Sequence, residues 1–574
     1  MVIRFRWSLL LLVLILVFAF ALRFYKLSQI PSGFYFDEVT GGLNSFTIAN
    51  HFTDEFGNFA PDFFKIGADY RHPVIVYGPA ILVKILGLNI FSVRAPTAFL
   101  GLLTVFACYL LALGLFKKKS VALLSALLVA ISPWLINLSR SSNDVVFALF
   151  FLTAADALFI YSLNSKKRVF LFAVYILVLL CWFSYAGAIM LSTLHLIAFV
   201  VFAYLAKSPK NIKLSTVVLL AAFIIFPNLF YVITGKDKLT GRFNQVSIFS
   251  SQETKLVLGE QLREDGVRLQ AIPITRLFHN KITNYSLDLA LNYATYFSPQ
   301  FLLGQIELPV RYRIDRTFLI YIFEPILLLA GLYFMVRKFS WQKGFVIFMV
   351  LAAPIPAAIT IEDVPNMQRA IFMIPALVMI ISYGIYNLFL VSKKVKHRKL
   401  ILVLSAGLLI AAYSYSLAYF MHQLFVHQPQ HRNWNRDSQW QSATQILQNL
   451  ESKYSNVYIT SPISYYYLAF YSPDFRNFIL SNQDFTKNRN YEKDWQLGKY
   501  HFAAKSCILT ELKDAQPNTL YINGQNCDVP AWARKLAEAK SSDGVTFLTF
   551  TDVPHSPQQI DQLKKQEIEK KQLK

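Results

Sequence analysis

Two adjacent carboxylates, Asp37 and Glu38, stand in the stretch GFYFDEVTGG, shortly after a run of nearly pure hydrocarbon. A carboxylate beside an apolar boundary suits general-base work, because desolvation disfavours its charged form and makes it a better proton acceptor. Three more polar sets follow along the chain. DYRHPVIVY carries Asp69, Arg71, His72 and Tyr77; SPWLINLSRSSND carries Arg140, Asn143 and Asp144; IEDVPNMQR carries Glu362, Asp363, Asn366 and Arg369. Guanidinium and imidazole groups can hold a phosphate and offset charge that grows on it. Each set also has a plainer reading. An Asp-Glu pair after a helix is commonly a solvated turn or an N-cap. His72-Pro73 is a common helix start, and Arg140 and Arg369 are placed to snorkel at helix ends.

The elements that must position these residues are membrane helices. The 574-residue chain is 55% hydrophobic and only 16% charged, against about 25% charged in a soluble domain. Apolar runs of bilayer-spanning length recur through its first three quarters. The first run, Leu9 to Leu22, follows Arg4 and Arg6 like a signal peptide. It has no small-residue cleavage site, and it reads as a retained first helix.

The net charge of +22 is explained by topology. The short loops around Arg4/Arg6, Lys117–Lys119, Lys166–Arg168, Lys207/Lys210/Lys213, Arg337/Lys338/Lys343 and Lys393–Lys399 together hold 19 basic residues and no acidic one. The positive-inside rule makes those loops cytoplasmic, and no nucleic-acid partner is needed. They fix spans at about 7–24, 95–116, 120–138, 142–163, 169–184, 186–206, 214–234, 317–336, 343–361, 368–391 and 399–420. That makes about eleven, with the N-terminus cytoplasmic and the C-terminus outside, in a cell membrane. Val74 to Leu88 is apolar but short, and it reads as a juxtamembrane helix on the outer surface.

The expected architecture is therefore a polytopic α-helical membrane module over 1–421, with outer loops at 25–94 and 235–316. A small extracytoplasmic α/β domain follows over 422–574 and ends in a charged, solvated helix. In it SATQILQNLESKY is helix-like, and VYITS and TFLTFT are strand-like. Cys507 and Cys527 fall in this outer domain, where a disulfide is permitted, and the pairing is an open candidate. Cys108 and Cys181 lie in spans as packing residues. The aromatic wealth, Phe 50 and Tyr 30, reads mostly as lipid-facing and interfacial. All four polar sets fall on the outer side.

The ordered set FDEVTGG, YRHPVIVY, NIFSVRAP, ISPWLINLSRSSNDVVFALFF and QRAIFMIPAL resembles the polyprenyl-phosphate-dependent glycosyltransferases of the GT-C fold, especially family 39. That family includes the protein O-mannosyltransferases and the aminoarabinose transferases. The resemblance covers about residues 5–420. It implies that Asp37 is the catalytic Asp of the first outer loop, that Glu38 supports it, and that His72 lies near the donor phosphate. Asp144 matches an acidic position after the third span, and Arg369 an Arg beside the donor pocket. Thr40-Gly41 depart from the aminoarabinose transferases, and Val74-Ile75 after His72-Pro73 from the mannosyltransferases, which leaves donor sugar and acceptor open.

The expected activity is inverting transfer of a sugar from a polyprenyl-phosphate donor to a lipid, glycan or protein acceptor. Asp37 is the base; Arg71, His72, Arg140 and Arg369 hold the phosphate; and Tyr77, Asn143, Asp144 and Asn366 are further site candidates. No ligand set for a metal is legible, and a divalent ion stays open. The alternatives are an oligosaccharyltransferase-like enzyme and a transporter or flippase of lipid-linked sugars. A transporter would gather polar groups near the midplane, often with inverted repeats.

Overall fold

The structure, a computed structural model, describes residues 2–66, 69–234, 243–268, 271–304, 309–393, 397–431, 436–482, 493–511, 516–554, 558–559 and 562–563. Lys394 and Lys396 of the last basic loop, and most of the charged end read as a solvated helix, lie outside the described residues. The chain divides into two compact units. Unit 1 comprises Met1–Leu27, Asp69–Ile75 and Ala95–Gln423; unit 2 comprises Ser28–Ala68, Val76–Arg94 and Leu424–Lys574. The sequence placed the first loop with the spans, but packing joins most of it to the tail.

Unit 1 has the fold of a multi-pass membrane protein. Seven helices among the described residues are long and apolar enough to cross a membrane: Trp7–Phe24, Ile90–Phe116, Asp144–Ser165, Ala186–Leu205, Trp341–Ala358, Ile371–Ser392 and Arg398–Gln430. An eighth arises if Lys119–Ile131 and Pro133–Ser139, bent by 54°, form one span. Pro133 causes that bend, since it has no N–H to continue the first helix and is preset to begin the second. Ser132 caps the new start, its hydroxyl accepting the Leu135 N–H at 3.4 Å. The other expected spans are also helical: Phe170–Trp182 (13 residues), Glu324–Arg337 (14 residues) and Lys210–Thr234 (25 residues). The first two are shorter than the roughly 20 residues a straight span needs. The region 235–316 is largely helical where described, with Gln252–Val267 and Lys281–Thr295.

Without a hydrophobic drive between helices in lipid, close approach depends on small residues. Glu324–Arg337 crosses Ile374–Ser392 at such a point. A Cβ on Gly331 would strike the Ile380 carbonyl, and one on Gly384 would strike the Leu327 carbonyl.

After the short strands β1 (Phe64–Ile66) and β2 (Asp69–Arg71), the chain forms the six-stranded sheet on which unit 2 is built. Its strands are β3 (Asn456–Thr460), β4 (Trp495–Leu497), β5 (Tyr500–Ala503), β6 (Thr519–Asn523), β7 (Arg534–Lys540) and β8 (Thr546–Asp552), in the order β4-β5-β3-β6-β8-β7. Strand β3 runs parallel to both neighbours, with Val457 opposite Tyr500 and Leu520. All five residues of β6 are buried, as expected of a strand covered on both faces. Helix Gln439–Leu450 and strands β3 and β8 fall where the sequence pattern puts them.

The first loop contributes helix α2 (Phe36–His51) to the same core; α1 is Val2–Phe24, α3 Val74–Leu86 and α4 Ile90–Phe116. Phe34, Val39, Leu43 and Val93 are buried in one cluster with Trp440, Val457, Phe470 and Phe502. Tyr465, Tyr466 and Tyr467 lie in that cluster too, so these three are core residues rather than part of an interfacial belt. Cys507 and Cys527 are joined by a disulfide, and Cys108 and Cys181 are buried thiols.

The helix crossing yields a direct test. Gly384→Leu is expected to cost about 1–3 kcal/mol through overpacking, read as a lower melting temperature in detergent. Gly407→Ala should leave that temperature unchanged or slightly raised, because a Cβ there meets nothing within 4 Å. Equal melting temperatures for wild type and Gly384→Leu would refute the packing argument.

Candidate active site

In unit 2 the Asp37-Glu38 pair forms the first turn of α2, where helix N–H groups and the helix dipole favour negative charge. Its two members differ sharply. Glu38 is 2% exposed, and Arg94 and Arg436 both reach it. Arg94 donates through Nε to Oε1 at 2.9 Å and through Nη2 to Oε2 at 3.0 Å. Arg436 Nη2 donates to Oε2 at 2.8 Å. The Tyr35 N–H donates to Oε2 at 3.3 Å, closing a capping box at the start of α2. Arg94 also donates to the carbonyls of Pro31 and Gly33, and Arg436 Nε to that of Ser32.

Asp37 is partly exposed on the same turn. Successive helical residues point about 100° apart, so the clamp that holds Glu38 also fixes where Asp37 points. Glu38 is thus committed to two buried arginines at the start of α2. Gly42 lies one turn further along, and a Cβ there would press on Val93 and Phe470 at 2.9 and 3.0 Å. The absence of a side chain at Gly42 is thus a packing requirement.

Tyr77, on α3 in unit 2, is turned to structural use. Its hydroxyl donates to the Pro61 carbonyl at 3.1 Å, and its ring packs on Phe52 and Phe64. Burial, with Asp62 and Asp54 nearby, raises its hydroxyl above the ordinary range.

Unit 1 brings Asn143, Asp144, Asn366 and Arg369 together through Gln368. Gln368 Nε2 donates to Asn143 Oδ1 at 2.9 Å and to Asp144 Oδ1 at 3.3 Å. Asn143 caps the helix Asp144–Ser165. Asn366 Oδ1 accepts the Gln368 and Arg369 N–H groups at 2.9 and 3.2 Å. Arg369 Nη1 donates to Thr360 Oγ1 and to the Glu362 carbonyl, each at 2.6 Å, and Nη2 pairs with Glu362 at 3.2 Å.

Arg140 is fully buried. It donates to the carbonyls of Leu22, Arg23 and Tyr25 at 2.8, 3.0 and 2.7 Å, closing the C-terminal end of α1. Its expected role as a phosphate ligand is replaced by this helix-end role. Arg71, partly exposed, ends the short strand Asp69–Arg71. His72 is buried, and burial lowers its pKa to about 4. It is neutral near pH 7 and can donate a hydrogen bond, but it is not the cation the sequence suggested. Among the described residues no group of three or more His, Cys, Asp or Glu could hold a metal ion.

Sequence reasoning missed Arg94, Arg436 and Gln368. Arg94 had a signal, a lone guanidinium in the otherwise apolar start of a span. Arg436 stands in HRNWNRDSQW and Gln368 in an already noted loop, where nothing local marks them.

The apolar helix bundle of unit 1 and the α/β unit define a multi-pass membrane protein of the GT-C fold. It is similar in structure to ArnT from Cupriavidus metallidurans bound to undecaprenyl phosphate, at 11% identity and a TM-score of 0.51, covering 95% of this chain and 98% of that one. It also matches the archaeal oligosaccharyltransferase AglB from Archaeoglobus fulgidus, in complex with an inhibitory peptide and a dolichol-phosphate, at 15% identity and a TM-score of 0.50. That match covers 81% of this chain and 63% of AglB, so the chain spans less than two thirds of that relative's length. At these identities the likeness is one of fold. In sequence, the family described as dolichyl-phosphate-mannose-protein mannosyltransferase matches residues 13–230, and the chain resembles the family-39 enzymes there. No curated protein matches the chain.

Two outcomes follow from this geometry. Glu38→Gln leaves two buried guanidinium groups short of a counter-charge, and it should destabilise the protein by about 3–5 kcal/mol, measured by thermal unfolding. Unchanged stability would refute the clamp. For His72 the folded value of about 4 lies below the ordinary 6.5. The unfolded chain therefore binds a proton that the folded chain refuses, and stability falls as pH drops from 6.5 through 4. His72→Asn should flatten that part of the stability profile, and an unchanged slope would count against the burial argument.

Proposed function

We propose that the protein is an integral-membrane glycosyltransferase that takes a sugar from a polyprenyl-phosphate donor, with Asp37 as general base. The observation that carries this reading is Asp37 itself: a partly exposed carboxylate on a rigid helical turn, beside a carboxylate already committed to two arginines. ArnT bound to undecaprenyl phosphate and AglB with dolichol-phosphate support a lipid-phosphate donor, as does the mannosyltransferase match over residues 13–230.

In the proposed reaction Asp37 removes the proton from an acceptor hydroxyl. The acceptor oxygen forms a bond to the anomeric carbon from the face opposite the lipid phosphate. The bond from that carbon to the phosphate oxygen breaks, and its electron pair leaves with the phosphate. One displacement inverts the anomeric centre. Arg71 and Arg369 are the proposed cations for the growing phosphate charge, with neutral His72 as a hydrogen-bond donor. The positive-inside rule applied to the basic loops supports a non-cytoplasmic side for these residues. A lipid-linked donor suits that side, since nucleotide sugars are cytoplasmic. The acceptor is a lipid, glycan or protein.

The test is transfer from a polyprenyl-phosphate-linked sugar in membranes that contain the chain. Asp37→Asn, folded as judged by thermal unfolding, is expected to lose at least about 100-fold in rate. Near-normal transfer by that variant would sink the assignment.

A further inference from the structure

The proposed reaction leaves one cleft of unit 1 unused. It is an open cleft of about 410 Å³, and Trp134, Asn137, Tyr312, Arg313, Arg316 and Phe420 are among the residues that line it. Asp37, Arg71, His72 and Arg369 are not among them. Hydrogen bonds hold the walls in place. Trp134 Nε1 donates to the Met367 carbonyl at 2.7 Å, and Asn137 Nδ2 donates to the Tyr312 carbonyl at 2.6 Å. The N–H groups of Leu319 and Ile320 donate to the Leu302 carbonyl at 3.1 and 3.2 Å. Gly304 permits this close approach, since it adopts φ 64 and a Cβ there would strike the Thr317 carbonyl. Arg316, on the same turn, adopts φ 55, a left-handed conformation that a non-glycine residue keeps only where its surroundings enforce it.

The charge in the cleft is unbalanced. Arg311 pairs with Asp363 at 3.1 Å, and Arg313 Nε pairs with Asp315 at 3.0 Å. Among the described residues, Arg313 has no partner for its two terminal nitrogens, and exposed Arg316 has no hydrogen-bond or ion-pair partner at all. Two guanidinium groups with free N–H donors therefore line one cleft, and such forks match the oxygens of a phosphate. Beyond Ile320 the chain enters the helix Glu324–Arg337, where Ile326, Leu329, Tyr333 and Val336 are exposed. Their spacing of three and four residues puts them on one helix face. In a membrane protein such a face meets acyl chains. Cations at the start of an apolar helix face are what a lipid with a negative headgroup requires.

We propose that this cleft binds the phosphate headgroup of an anionic phospholipid, with Arg313 and Arg316 on the phosphate and the acyl chains along the exposed face of the helix Glu324–Arg337. The inference is independent of the base assigned to Asp37.

The experiment titrates fluorescent phosphatidylglycerol into the full-length protein in an uncharged detergent. Fluorescent phosphatidylcholine, which carries a phosphate but no net charge, is the comparison lipid. Phosphatidylglycerol should bind at least about tenfold more tightly, the equivalent of one charge-assisted hydrogen bond. The double variant Arg313→Gln/Arg316→Gln should bind it no better than phosphatidylcholine. Arg337→Gln, at the other end of the same helix, should bind it like the wild type. If the double variant fails to fold, Arg316→Gln decides alone, because that side chain has no partner to lose; its affinity should fall about tenfold. Equal affinity for the two lipids, or unchanged phosphatidylglycerol binding in the folded variants, would overturn the proposal. Displacement of the lipid by an equal concentration of inorganic phosphate would also overturn it, and would identify a site for a free anion.

Discussion

A carboxylate shut away from water is stable only when its charge is matched close by, and Glu38 meets that condition with Arg94 and Arg436. The match binds three parts of the chain in unit 2: the start of α2, the start of α4 and the segment that opens the tail. The carbonyls of Pro31, Ser32 and Gly33, on the loop that leads into α2, accept from further nitrogens of the two arginines. Such a network is a weak source of net stability, because desolvation offsets the Coulomb gain. Breaking it is costly all the same, because removing one partner leaves the opposite charges buried.

The apolar core and the ion network agree on one geometry. Phe34 and Val39 flank the Asp37-Glu38 pair in sequence, and both are buried with the tail's Trp440 and Phe470. Glu55, further along the first loop, accepts hydrogen bonds from Tyr465 and Tyr466 at 3.2 and 2.7 Å. Helix α2 is thus held at its start by charge, along its face by packing and beyond its end by buried hydroxyls. The base proposed for Asp37 calls for such support, because rate depends on holding the reacting groups in a narrow range of geometry.

The parts that were legible in the sequence are the ones with local signatures. Lys117, Lys166 and Lys207 sit just past helix ends with φ of 52, 58 and 51, so the basic loops mark ends that the helices respect. The tail's alternation of helix and strand was readable as well. The pair Asn143-Asp144 and the pair Asn366-Arg369 were identified separately, and the structure links them through Gln368, which looked ordinary. Arg140 and Tyr77 show the opposite failure. Both have side chains suited to binding an anion or a sugar, and both are occupied by backbone carbonyls. A polar residue's partners are decided by what folding places beside it, and residue type alone does not reveal them.

The sequence by itself determined membrane residence, the order of the helices and the presence of an α/β tail. These depend on composition and on short periods, which the chain displays locally. Only the tertiary structure decided that the first loop shares a core with the tail, and that Glu38 is buried between two arginines while Asp37 is partly exposed. Glu38 and Arg436 are 398 residues apart, and no local pattern encodes a pairing at that separation. It arises because a buried carboxylate must find its counter-charges wherever the folded chain brings them.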